Sequence, residues 1–206
     1  MKKMTINEAT QDRSRLNPKD FVFIAVFGVL LFLVFMIFSV VLSLNASTSW
    51  FTHSVGALFA GTVFMYLAYR VPKRGALSIM GIIVGAAGLL MGMFWSGPAG
   101  IVVGGVVADL IAGAPENRTK TRLILAFAAF TFCFWFGHIS LILIMGNAYA
   151  DMCVASGTTH EYGMTLVNSI LGPMGIVTGV VTIACALLGG FIGTKVFSKH
   201  FAKLGV

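Results

Sequence analysis

From Phe21 to Leu44 the chain runs for 24 residues without a charge, between Lys19-Asp20 on one side and the polar stretch Asn45–Ser49 on the other. At 1.5 Å rise per residue that is about 36 Å of helix, enough to cross a hydrocarbon core of about 30 Å with some tilt. Five more apolar stretches follow, and the pattern predicts six spans at roughly 20–44, 54–70, 75–93, 98–114, 122–147 and 169–196. The punctuation between them is consistent. Asn17-Pro18 is a start signal for the first helix, and Pro72-Lys73-Arg74-Gly75 reads as a turn. Phe94-Trp95-Ser96-Gly97 is a very short connection, and Pro115 to Arg122 is a basic loop. Ala148 to Asn168 is expected to be the longest loop. No internal repeat stands out among the three helical hairpins.

Composition agrees with a membrane protein. Hydrophobic residues make up 58% of the 206 positions and charged ones 10%, against about 25% charged in soluble domains. The net charge of +7 does not point to nucleic acid, because the 14 Lys and Arg lie in four clusters that flank apolar runs. Those clusters are Lys2–Lys19, Arg70–Arg74, Arg118–Arg122 and Lys195–Lys203. The three connections on the other side contain no Lys or Arg, so the positive-inside rule places both termini in the cytoplasm. The expected architecture is an all-α integral membrane protein. A compact bundle of six transmembrane helices (20–196) lies between a cytoplasmic N-terminal tail (1–19) and a cytoplasmic C-terminal tail (197–206). The polar first twenty residues, followed by so long an apolar run, do not fit a cleaved signal. Three cysteines, two in apolar runs and Cys153 in a polar loop, imply no disulfide framework.

Small residues mark where helices should touch, since helices in lipid associate through close backbone packing. Gly81, Gly85, Gly88 and Gly92 lie on one face of the third span. Gly100, Gly104, Ala108 and Ala112 recur every four residues in the fourth. Gly175 with Gly179, and Gly189 with Gly193, repeat the device in the sixth. Internal packing is the simpler reading of these faces, and a partner interface is the other.

An ionisable residue inside a span is costly and therefore a functional candidate. Asp109, about two turns from the basic loop, is a candidate for structural pairing with Arg118, Lys120 or Arg122, or for coupling to a partner or to protons. His138 lies 16 residues beyond Arg122, about 24 Å along the helix and in the outer half of the bilayer. Thr131, Trp135, His138, Ile142, Met145 and Tyr149 share its helical face. The outer connections add Asn45, Thr48, Trp50 and His53, then Trp95 and Ser96. The third contributes Asn147, Tyr149, Asp151, Met152, Cys153, His160, Glu161, Tyr162, Met164 and Asn168. The tryptophans and tyrosines fit an interfacial aromatic belt or the walls of a pocket for a small organic ligand. His53, His138, His160 and nearby methionines are a loose set for a metal or a haem iron, without motif spacing. No metal site and no resident cofactor is assigned on that basis. No catalytic motif is present, so no enzyme is read here, and powered transport would need partners.

With six helices, short connections, about 200 residues and a basic inner face, the chain resembles the substrate-binding S components of energy-coupling factor (ECF) transporters. More narrowly it is similar to the Trep_Strep group. The residues carrying the likeness are Asn17-Pro18-Lys19-Asp20, Gly81-Ile82-Ile83-Val84-Gly85, Gly104-Gly105-Val106-Val107-Ala108-Asp109-Leu110 and Gly189-Gly190-Phe191-Ile192-Gly193 to Lys199-His200-Phe201. The resemblance implies a bacterial plasma-membrane protein that captures a micronutrient outside and docks on a transmembrane coupling protein driven by two ATPases. It implies a pocket toward the outer side, built from Asn45, Trp50, His53, Trp95, Trp135, His138, Met145, Asn147, Tyr149, Asp151, His160, Tyr162 and Asn168. A vitamin-like compound is the broad expectation, and a haem-like tetrapyrrole a narrower one drawn from the outer His and Met residues. The family's Ala-x-x-x-Ala docking surface on span one appears here as Ala25 and Val29, with Gly28 beside them. Nickel and cobalt relatives begin Met-His, whereas this chain begins Met1-Lys2. Two other classes stay open at this point: a self-sufficient transporter coupled to protons through Asp109 and His138, and a structural membrane subunit.

Overall fold

The computed structural model describes residues 16–201, and among these there is no strand. The expectations for residues 1–15 and 202–206 lie outside the described residues. The first helix, α1 (Pro18–Leu42), begins where the sequence signals it. Asn17 Oδ1 accepts the Asp20 N–H at 3.0 Å while Asp20 Oδ2 accepts the Asn17 N–H at 2.8 Å. This capping box satisfies two donors that the helix itself cannot, and Pro18 costs nothing at a position with no helical hydrogen bond to give.

A one-turn helix, α2 (Ala46–Ser49), is capped by Asn45 and leads into α3 (Thr52–Arg70). Then come α4 (Ala76–Leu90) and α5 (Ser96–Ala112), a 3-10 turn at Pro115–Asn117, and α6 (Lys120–Met145). The expected outer loop at Ala148–Asn168 is instead a helical hairpin, α7 (Ala148–Ala155) and α8 (His160–Leu171). The long last helix, α9 (Pro173–Phe201), starts after the break at Gly172 and extends beyond position 196.

Among the described residues, three helices are long and apolar enough to cross a membrane: α1, α6 and the Pro173–Phe197 stretch of α9. The apolar α4 and α5 are shorter. Their 15 and 17 residues correspond to about 22 and 26 Å. Both are cut short at the turn between them, where Gly92 takes φ +83°. Gly92 therefore belongs to the turn and not to the small-residue face of α4.

The long helices pack in a ring in the order α1, α4, α5, α6, α9, α3 and back to α1, with α3 also reaching α6 across the middle. The small-residue faces close that ring. Gly81 meets Gly105 between α4 and α5, where an added Cβ would lie 2.9 Å from the facing Cα. Gly100 meets the Cys133 carbonyl and Gly137 on α6, and Gly61 of α3 meets Gly189 of α9. A side chain at any of these points would hold two backbones apart. The core between the helices centres on Phe64, Phe127 and Phe130, all essentially inaccessible. On the outside, Val22, Val26, Ile37, Val40 and Val41 of α1 are all more than half exposed. That apolar face suits lipid as its solvent.

The two ends of the bundle differ in charge. Lys19, Arg70, Lys73, Arg74, Arg118, Lys120, Arg122 and Lys195 sit at helix ends on one side. There Lys73 pairs with Asp20 at 2.7 Å, tying the start of α1 to the α3–α4 turn. The other end, formed by α2, the α4–α5 turn, α7 and α8, has no Lys or Arg.

Candidate functional site

The half of the bundle away from the basic end holds two adjoining chambers that share His138 and Met93. One, of about 170 Å³, is lined by Met93, Phe94, Ser96, Gly97, His138, Leu141 and Tyr149. The other, of about 130 Å³, is lined by Phe32, Phe35, Met36, Ser39, Thr52, His53, Met93, Phe134 and His138. Side chains from α1, α3, α5, α6, α7 and the α4–α5 turn thus converge on one place.

His53 does not sit in a loop, as its sequence position promised. It lies buried in the first turn of α3. Its ring meets the His138 ring edge to face, with centroids 5.2 Å apart, and meets Phe134 in the same way at 4.6 Å. Thr52 Oγ1 is 3.2 Å from His53 Nδ1. That contact helps to orient the imidazole. Phe35 stands edge-on to Phe134 at 5.5 Å, extending the aromatic wall.

Tyr149 reaches the same site by an unexpected route. It does not continue the α6 face, because the chain breaks at Gly146, whose φ of +55° and ψ of −131° suit only glycine. The hairpin then folds back and turns Tyr149 inward, where it is buried. Burial, together with neighbouring Cys153 and Tyr162, raises the pKa of its hydroxyl, so it stays a neutral donor. Gly163 is what lets α8 lie against α7, since a Cβ there would be 2.6 Å from the Ala150 Cα.

The other residues expected in the site are placed elsewhere. Trp50 and Trp135 are buried, but in an apolar cluster beneath the hairpin with Ile142, Tyr149 and Val167. They form neither chamber wall nor interfacial belt, and their Nε1 atoms have no hydrogen-bond partner. Trp135 packs against Gly179 and borders a separate apolar groove between α6 and α9. Met145 packs against the same cluster. Tyr162 donates to the Ser43 carbonyl at 2.8 Å and so pins α8 to the end of α1. Asn45 spends its side chain capping α2. Trp95, Asn147 and Asn168 are exposed.

Asp151 and His160 also lie at the surface, 3.5 Å from each other. His160 is therefore not part of the His53–His138 pair. Among the described residues, no three His, Cys, Asp or Glu side chains gather as a metal site would require. The close edge-to-face approach of His53 and His138 also leaves no slab of space for a macrocycle between them. The tetrapyrrole expectation does not fit this geometry.

The chamber residues not anticipated include Phe32, Phe35, Met36, Ser39, Met93, Phe134 and Leu141. The four on α1 follow the spacing i, i+3, i+4, i+7 and end on a hydroxyl. That was the available signal, lost in a helix that is apolar all round.

Asp109 is engaged at the basic end, far from the chambers. Its Oδ2 accepts the Gly75 N–H at 2.6 Å, and its Oδ1 is 3.5 Å from the Arg118 guanidinium. Arg118 in turn donates to the carbonyls of Lys73 at 2.9 Å and Gly113 at 3.3 Å, and more loosely to those of Ala68 and Val71. Burial lowers the Arg118 pKa and the Asp109 charge opposes that shift. This is a staple joining the α3–α4 turn, α5 and the loop before α6. On α1, Gly28 is buried against Met80 and Val84 of α4, Ala25 is half-buried and Val29 is exposed. Internal packing therefore occupies Gly28, one of the three residues expected on the docking face.

A family model described as a hypothetical bacterial integral membrane protein (Trep_Strep) matches residues 18–203. No curated protein and no solved structure matches the chain.

Proposed function

Because the chain belongs to the Trep_Strep family of bacterial integral membrane proteins, we propose that it is the substrate-capturing S component of an ECF-type importer for a small organic micronutrient. In this reading α1, α3, α4, α5, α6 and α9 are the six spans, with both termini in the cytoplasm of the bacterial plasma membrane. A coupling protein and two ATPases supply the energy that this chain does not.

The observation that carries the proposal is the double chamber around His53 and His138, at the end of the bundle free of Lys and Arg. A concave site with aromatic walls and a few convergent polar groups is how proteins hold small molecules, and the charge asymmetry supports an outward-facing position for this one. The engagement of Asp109 with Gly75 and Arg118 weighs against its serving as a carrier of protons.

The test is purification in mild detergent from native membranes, followed by mass spectrometry of the proteins recovered with it. The expected companions are one larger membrane protein and two ATPases. Isolation alone across several mild detergents, together with uptake by vesicles containing only this protein and a proton gradient, contradicts the proposal.

A further inference from the structure

The chemistry lining the two chambers limits what they can hold, and the argument rests on the capture role proposed above. No Asp, Glu, Lys or Arg borders either chamber. The described cations cluster at the opposite end of the bundle. The outer carboxylate Asp151 is turned to solvent, with 78% of its side chain exposed. An ion brought into the site would shed its water without meeting a counter-charge, at a cost of several kcal/mol. A protonated imidazole is the one positive charge the site could offer an anion. His53, however, already faces His138 and the ring of Phe134, which makes poor surroundings for an ion pair.

Size gives a second limit. The chambers measure about 170 and 130 Å³, each close to the roughly 150 Å³ of a cavity that takes one benzene ring. They share His138 and Met93 as lining residues. The aromatic wall of Phe35 and Phe134 offers ring faces and edges to one part of a ligand. Ser96 and Tyr149 offer hydroxyls to the other part.

We propose that the double chamber binds an uncharged, planar organic molecule of one or two rings, held through hydrogen bonds to His138 and its neighbours, and rejects carboxylates and ammonium ions of the same shape. Neutral donors and acceptors on the protein match a ligand that carries both and no net charge.

Three isosteric probes test this: benzamide, benzoate and benzamidine, which are neutral, anionic and cationic at neutral pH. Each is titrated into the full-length purified protein, and binding is read by thermal shift and by calorimetry. Benzamide is expected to bind at least about tenfold more tightly than either charged probe, a difference of about 1.4 kcal/mol. His138→Phe is expected to abolish that preference. Thr52→Val, which keeps the shape of the wall, is expected to weaken benzamide binding should His138→Phe fail to fold. Binding of benzoate or benzamidine as tight as that of benzamide overturns the proposal. So does binding of none of the three, or binding unaffected by either variant. The charge ranking is independent of whether ATPases accompany the protein, so its failure is distinguishable from failure of the importer assignment.

Discussion

Asp109 is held at the basic end of α5 by contacts that suit a structural role. Its partners Gly75 and Arg118 join three parts of the chain, and the Arg118 side chain is only 4% exposed. Removing one member of such a pair strands the other, which costs on the order of 3 kcal/mol. Asp109→Ala is therefore expected to lower the thermal midpoint in detergent markedly. Arg118→Lys should do the same to a lesser degree, because one ammonium cannot serve carbonyls spread as a planar guanidinium does. An Asp109→Ala protein with an unchanged midpoint but no transport would instead mark the carboxylate as a proton carrier. The pairing with a nearby basic residue was legible in the sequence. The bond to Gly75 was not, since it joins residues 34 apart and no local pattern encodes it.

Among the helices, two glycines of the sequence reading, Gly100 and Gly189, set interfaces with two that it did not name, Gly137 and Gly61. Gly61 against Gly189 and Gly100 against Gly137 allow backbone contact that no larger residue permits. Gly61→Val and Gly100→Val are each expected to destabilise the bundle by about 1–3 kcal/mol, as overpacking does. Gly28→Ala is the contrasting case. Its new Cβ would stand 3.5 Å from Met80 and Val84, an ordinary contact, so the midpoint is expected to stay within about 0.5 kcal/mol equivalent. Equal losses at all three positions would refute this account of the packing.

Helix starts at Asn17-Pro18 and the small-residue faces were readable because capping and close approach depend on neighbours in sequence. The hairpin over the end free of Lys and Arg was missed, although Gly163, Leu166, Val167 and Ile170 follow a helical spacing. Polar residues around that stripe masked it. The chamber itself was half legible. His53, His138 and Tyr149 declare themselves as polar groups among apolar ones. Phe32, Phe35, Met36 and Phe134 look no different from residues that face lipid.

For the whole molecule, the proposed orientation, with the Lys- and Arg-free end outside, can be tested directly. In a cysteine-free background, a cysteine placed at Asp151 is expected to react with a membrane-impermeant maleimide on intact cells. One placed at Arg74 should react only after permeabilisation. The reverse labelling would invert the bundle and put the chambers on the wrong side for capture.

Capture of a small molecule in those chambers is the central claim, and native mass spectrometry of the full-length protein, released from mild detergent, addresses it most directly. The account predicts one bound small organic molecule per chain in the wild type, retained through purification from native membranes and absent from His138→Phe. A wild-type protein that is bare in every preparation, or an adduct that persists unchanged in His138→Phe, would contradict it.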